Sequence, residues 1–148
     1  MKKETRDDWE QRVHRVLETM TGSLDEALLA ERLAGEAASS RWHFERAFRS
    51  LTGEPFASCV RRLRLERAAY RLKEGEPVLK TALDAGYESP ESFCRAFRRA
   101  FGLAPSRVSH LPWWRGELPS PNGLHWRPGI QPRWHLTAEA DSTPSEST

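Results

Sequence analysis

Arginines recur in this chain at a spacing suited to gripping a polyanion. Arg46 and Arg49 stand three residues apart, and Arg95 and Arg98 repeat the pair at an offset of 49 residues. A guanidinium offers a planar fork of donors that matches a phosphate or a guanine edge, which a merely solubilising lysine does not. No other reactive side chains assemble into a comparable set. The five histidines, His14, His43, His110, His125 and His135, show no His-x3-His ligand spacing, and Cys59 and Cys94 form no Cys-x-x-Cys pair. Cys94 sits beside Arg95, where a thiol serves more simply as a small helix filler than as a redox switch. The sequence therefore predicts a binding protein and not an enzyme, with no metal and no cofactor.

The elements that must carry these arginines can be read from a repeat. Ser40, Phe44, Arg46, Ala47, Phe48, Arg49 and Gly53 are matched at the same offset by Ser89, Phe93, Arg95, Ala96, Phe97, Arg98 and Gly102. Each copy has the ends of a helix. Ser40 and Ser89 are suited to N-capping, Pro90 fits the first helical position, and Gly53 and Gly102 permit the left-handed C-terminal turn. Phe44, Ala47, Phe48 and Leu51 fall on one stripe, as do Phe93, Ala96, Phe97 and Ala100, and these stripes are predicted core. The opposite face presents Trp42, Arg46 and Arg49 with Glu45 at its edge. In the second copy it presents Glu91, Arg95 and Arg98, with Cys94 at the edge.

A shorter helix precedes each copy. Ser23-Leu24-Asp25-Glu26 has the pattern of a capping box, followed by Leu28, Leu29, Leu33 and Ala34 at helical spacing. Pro77 opens a second such segment through Val78, Leu79, Ala82 and Leu83, and Ala85-Gly86-Tyr87 makes its turn. Short helix, tight turn and basic second helix constitute helix-turn-helix grammar, written twice. Between the copies, Phe56 to Lys73 reads as one uninterrupted helix of ~27 Å. Its expected buried positions are Phe56, Val60, Leu63, Leu65, Ala68, Ala69 and Leu72. Recognition helices in successive major grooves need centres ~34 Å apart, so a rigid spacer of this order is apt.

Charge agrees with that reading. The 148 residues carry a formal net charge of +2 with 38% hydrophobic and 30% charged residues, the profile of a soluble globular protein. Residues 1–36 hold six Lys/Arg against nine Asp/Glu, whereas residues 41–107 hold fourteen against eight. The basic middle is where a polyanionic partner belongs. No apolar run is long enough to span a bilayer, and Lys2 to Glu10 is charged, so a cytoplasmic protein with reduced cysteines and no membrane partner is expected.

The stretch from about Leu24 to Val108 resembles the DNA-binding domain of the AraC/XylS family. The resemblance is carried by Ala82-Leu83-Asp84-Ala85-Gly86-Tyr87-Glu88-Ser89-Pro90-Glu91-Ser92-Phe93, by Arg95-Ala96-Phe97-Arg98-Arg99 and by Phe101-Gly102-Leu103-Ala104-Pro105-Ser106. Arg62-Leu63-Arg64-Leu65-Glu66-Arg67-Ala68 looks like the family's linker. It implies an all-α fold of two helix-turn-helix subdomains joined by a long central helix, followed here by an irregular C-terminal tail. The domain would run over residues 5–109, with the first unit at about 24–53, the linker at about 55–74 and the second unit at about 77–102. It also implies a regulator that binds double-stranded DNA and activates transcription through RNA polymerase. The family's base-contacting positions fall on Arg41, Trp42, Glu45 and Arg46 in the first helix, and on Pro90, Glu91, Ser92 and Arg95 in the second. Arg49, Arg98 and Arg99 are better placed for phosphate. The chain departs from the family at Ala38 and Ser39, where glycine and a large residue are usual, at Thr81 in place of isoleucine, and at Ser109 in place of arginine.

The ends are less patterned. Trp9, Val13, Val16, Leu17 and Met20 lie at helical spacing and are expected to pack on the first unit. Residues 111–134 hold five prolines together with Trp113, Trp114, Trp126 and Trp134, and residues 137–148 are Ser/Thr/Glu-rich, a composition expected to be disordered. The tryptophans need burial or a partner. Two expectations stand for this segment: it folds back over the domain, or Asn122-Gly123-Leu124-His125 begins a shortened effector domain with too little chain for a ligand pocket. A rival to the regulator reading is a non-catalytic helical interaction module that uses its basic face, or its C-terminal tryptophans, on an acidic partner.

Overall fold

A computed structural model describes residues 3–26, 29–37 and 39–137, and among them the regular structure is helical. The chain forms two compact units. The first gathers the chain up to Val60 with Ser120–Leu124 and the described residues from Gln131 onward; the second comprises Arg61–Pro119 and His125–Ile130.

In the first unit, α1 (Lys3–Met20) and α2 (Leu29–Glu36) each pack on α3 (Arg41–Thr52). Trp9, Val13, Val16, Leu17 and Met20 of α1 are all buried, as the helical spacing requires. Facing them are Phe44, Ala47, Phe48 and Leu51 of α3. The rings of Phe44, Phe48 and Phe56 lie 5.2–5.9 Å apart, tilted or edge-on, the geometry aromatic quadrupoles favour. Each such ring contributes about 1.5–3 kcal/mol through burial, and together they set the roll of α3.

Two local expectations are corrected here. α1 begins at Lys3, earlier than the apolar stripe from Trp9 indicated, since Arg6–Glu10 and Arg12–Asp8 pairs support its polar first turns. α2 is entered later than the capping-box pattern implied. Ser23–Glu26 is a turn, in which the Glu26 N–H donates to the Ser23 carbonyl at 3.1 Å. Arg32 takes both groups that would have capped a helix: its Nη2 donates to Ser23 Oγ at 2.9 Å and its Nε to Glu26 at 2.7 Å. Leu28 and Ala38, both named from sequence, lie outside the described residues.

The second unit contains most of α4 (Phe56–Lys73), then α5 (Val78–Asp84), α6 (Pro90–Phe101) and a short 3-10 helix, Pro105–His110. Leu65, Ala68, Ala69 and Leu72 of α4, Ala82 and Ala85, Phe93 and Phe97, and Val108 form its core. Ala96 and Ala100, placed on the core stripe from sequence, are half-buried. The two helix-turn-helix corners close alike. The Ser39 N–H reaches the Ala34 carbonyl at 3.0 Å and the Tyr87 N–H reaches the Ala82 carbonyl at 3.1 Å, with Gly86 at φ 91° supplying the left-handed residue.

α4 is more enclosed than its apolar positions alone predicted. Beside those seven buried residues, Arg62, Glu66 and Arg67 are buried too. Arg67 Nη2 donates to the Asp84 carbonyl at 2.9 Å and so caps the end of α5. Glu66 accepts the Leu118 and Trp126 N–H groups, each at 2.9 Å, and lies 2.8 Å from His125 Nδ1. That carboxylate is the anchor of the C-terminal extension on this unit. Trp114 packs on Phe101 and Phe97, Trp126 on Tyr70, and Lys73 Nζ donates to the carbonyls of Pro112 and Trp114. Residues 112–119 and 125–126 therefore fold back on this unit, as one of the two expectations had it, and of the four tryptophans Trp113 stays largely exposed, at 74%.

Candidate nucleic-acid interface

α3 is held at both ends by the residues that its sequence marked. Ser40 Oγ accepts the His43 N–H at 3.2 Å, and the Gly53 N–H donates to the Arg49 carbonyl at 2.9 Å with φ 83°. With its apolar stripe turned inward, the outer face carries Trp42, Arg46 and Arg49, all exposed. The Arg46 guanidinium lies over the Trp42 ring, 4.8 Å from its centroid, a cation–π arrangement that leaves the donor edge of the guanidinium open. His43, which sequence reasoning did not single out, joins this surface edge-on to Trp42 at 4.9 Å and lies 2.9 Å from Ser40 Oγ. A surface depression of about 420 Å³ runs along the same face, bordered by Trp42, Arg46, Arg49 and Phe56.

Arg41 and Glu45 are not free in the way the family pattern implied. Arg41 Nε donates to Glu45 at 3.1 Å while its Nη1 binds Glu31, so the start of α3 is pinned to α2. The hydrogen bond to Glu45, then the charges of Glu31 and Glu45, raise the Arg41 pKa further above its already high value. The same pairing offsets part of the charge of Glu45, which would otherwise repel a phosphate more strongly.

α6 repeats the construction. Ser89 Oγ accepts the Ser92 N–H at 3.1 Å, Pro90 occupies the first turn, and Gly102 closes the helix at φ 81° with its N–H 2.8 Å from the Arg98 carbonyl. The Ser92 hydroxyl is turned back onto the Ser89 carbonyl at 3.0 Å, so it is committed to the cap in this state. Glu91, Arg95, Arg98 and Arg99 are exposed, and Pro90 is half-buried at their edge. Glu91 in the first turn complements the positive end of the helix. Among the described residues, no acidic side chain pairs with Arg95, Arg98 or Arg99 in the structure. Cys94 is half-buried and packs against the core, the filler role.

Each unit thus offers one capped helix whose outer face is built from arginine, with aromatic support in α3. Asn122, which one expectation read as the start of a shortened effector domain, and Thr137, the first residue of the stretch expected to be disordered, instead meet α3 at its C-terminal end. The Asn-Gly pair at 122–123 is a turn signal and points to no partner.

Comparison with known proteins agrees with this geometry. A family described as a helix-turn-helix domain matches residues 33–110. The right origin-binding protein of Escherichia coli strain K12 is 32% identical over 96 residues, which cover 64% of this chain and 33% of that protein. The chain therefore spans about a third of that relative's length. The regulatory protein SoxS of Salmonella typhimurium is 32% identical over 102 residues, covering 68% of this chain and 95% of SoxS. Among solved structures, the DNA-binding domain of AdpA, a global transcriptional factor in complex with a target DNA, matches with a TM-score of 0.57 at 32% identity. That match covers 66% of this chain and 89% of the AdpA domain.

Proposed function

The chain belongs to the AraC-type helix-turn-helix family, and from that premise we propose that it is a sequence-specific DNA-binding regulator of transcription that acts as an activator. α3 and α6 are its recognition helices, each entering a major groove. The observation that carries this reading is the repeated presentation of exposed arginines on two helices capped at both ends. Arg46 and Arg95 are the base-reading residues, with Trp42 against thymine methyls or sugar. Arg49, Arg98 and Arg99 hold phosphates. Arg41 and Glu45, already paired, help to set the angle of α3, while Pro90, Glu91 and Ser92 form the leading edge of α6. RNA polymerase is the protein partner, the cytoplasm the site of action, and no catalytic role is assigned.

The test is selection of binding sites from random duplexes, followed by salt titration on the selected site. A regulator binds its site about 10³-fold or more over random DNA, with a log–log salt slope of roughly −4 or steeper. Weak salt dependence and no sequence preference would instead favour an interaction module that uses the same face on an acidic protein. Transcription from a promoter bearing the selected site, with purified RNA polymerase, then decides the sign of regulation.

A further inference from the structure

The last turn of α3 is completed by chain well outside the family match. Helices end with four carbonyls that have no partner within the helix. In α3 the Arg49 carbonyl is met locally by Gly53. The other three are met from the C-terminal extension. Thr137 donates its N–H to the Leu51 carbonyl at 2.7 Å, and its hydroxyl lies 3.2 Å from that carbonyl and 3.3 Å from that of Ser50. Asn122 Nδ2 donates to the Thr52 carbonyl at 2.9 Å.

Asn122 is built for this place. It is fully buried, and its amide uses its whole hydrogen-bonding capacity. Nδ2 also donates to Glu54 at 3.0 Å, and Oδ1 accepts from the Leu124 N–H and the Ser120 hydroxyl, each at 3.0 Å. Its own carbonyl accepts the His135 N–H at 2.8 Å, tying the two arms of the extension together. Pro121 is seated so closely that a Cβ at Gly53 would come within 3.2 Å of it. Further along, Trp134 Nε1 donates to His14 Nδ1 of α1 at 2.7 Å.

We propose that Ser120–Leu124 and Gln131–Thr137 form a positioning element for DNA recognition, in which Asn122 and Thr137 hold the C-terminal end of α3 and thereby fix the angle at which Trp42, Arg46 and Arg49 meet DNA. The inference rests on the reading of α3 as a recognition helix. The core sets the roll of α3 from within. Its outward end is secured from outside, by donors from residues 70 to 87 positions further along the chain. Recognition needs side chains held to within about 0.5 Å, and an uncapped last turn frays.

The test uses the full chain and the selected duplex, together with duplexes substituted one base pair at a time. Positions whose penalty vanishes in Arg46→Ala define the box read by α3; those whose penalty vanishes in Arg95→Ala define the box read by α6. Asn122→Ala and Thr137→Pro are expected to weaken binding roughly tenfold, by analogy with the loss of a helix cap. Both should flatten discrimination at the α3 box and leave the α6 box intact. Thr137→Ser, which keeps the hydroxyl and the N–H, is expected to restore wild-type discrimination. Thermal melts confirm that each variant is folded at the assay temperature. Should Asn122→Ala prove unfolded, Thr137→Val, which loses only the hydroxyl, carries the same box comparison with a smaller effect. Proportional loss at both boxes, or none at either, would overturn the positioning role and leave a general stabiliser. If Arg46→Ala abolishes no base penalty, α3 is not a reader, and the role of the cap falls with it.

Discussion

Arg46 and Arg95 occupy matching places on their helices, but their surroundings differ. The Arg46 guanidinium is already held against Trp42, and Trp42 would remain in place if that arginine were removed. Arg95 is exposed with no ring beneath it among the described residues, and under the proposed function its neighbours Arg98 and Arg99 grip phosphate. The sequence of the first unit also departs from the family pattern just before α3, at Ala38 and Ser39, where the resemblance implies glycine and a large residue. Arg95→Ala is therefore expected to lose about 1–3 kcal/mol of binding free energy and Arg46→Ala less. Gel-shift titration against wild type checks this, and equal losses would remove the asymmetry. The exposed arginines were legible in the sequence because a helical wheel sorts residues by face. The pairing of Arg41 with Glu45, four residues on, was legible too, but its pairing with Glu31 was not, since Glu31 lies ten residues away on another helix.

At the scale of elements, α4 is the case in which the sequence told least. Its apolar positions were countable, but Glu66 entered the sequence reading only as one letter of the linker pattern. In the structure it is the buried anchor of Leu118, His125 and Trp126, with Arg62 Nη1 3.6 Å away. Glu66→Ala would strand the Leu118 and Trp126 backbone donors, so it is expected to cost about 2 kcal/mol or more. Urea unfolding monitored by tryptophan fluorescence reads this directly, and a change under about 1 kcal/mol would mean that the extension holds without it. α5 offers a milder test. The hydrogen bond from Lys80, followed by the charges of Lys80, Arg71 and Arg67, holds the Asp84 carboxyl below its ordinary value. A depressed folded value stabilises the protein above the unfolded pKa near 4, and that contribution is lost as pH falls through the folded value. Asp84→Asn should thus be slightly less stable than wild type at neutral pH, by under about 1 kcal/mol for so exposed a group. The gap should narrow as pH falls through the folded value, where the carboxyl is protonated in the folded and the unfolded chain alike; a gap that did not change with pH would point to a packing effect.

For the molecule as a whole, the basic middle matters through salt. Arg98 and Arg99 are assigned to phosphate and Arg95 to base edges, and the two roles have different signatures. Arg98→Ala should weaken binding to all duplexes alike and make the log–log salt slope shallower by about one, while Arg95→Ala should relax specificity at particular base pairs. A salt titration on matched and mismatched duplexes separates them. The extension enters at this scale as well, because both units are finished by it: Glu66 fastens it on the second and the end of α3 receives it on the first.

Taken alone, the sequence determined whatever depends on neighbours along the chain. The N-caps at Ser40 and Ser89, the left-handed glycines 53 and 102, the apolar stripes and the outward arginines follow from backbone sterics and a period of 3.6 residues. Tertiary structure decided which buried polar groups find one another. Glu66 meets donors 52 to 60 residues away and Thr52 meets one 70 residues away. Such pairings leave no periodic mark, because the requirement they meet, that a buried polar group be satisfied, fixes the chemistry of the partner but not its place in the chain.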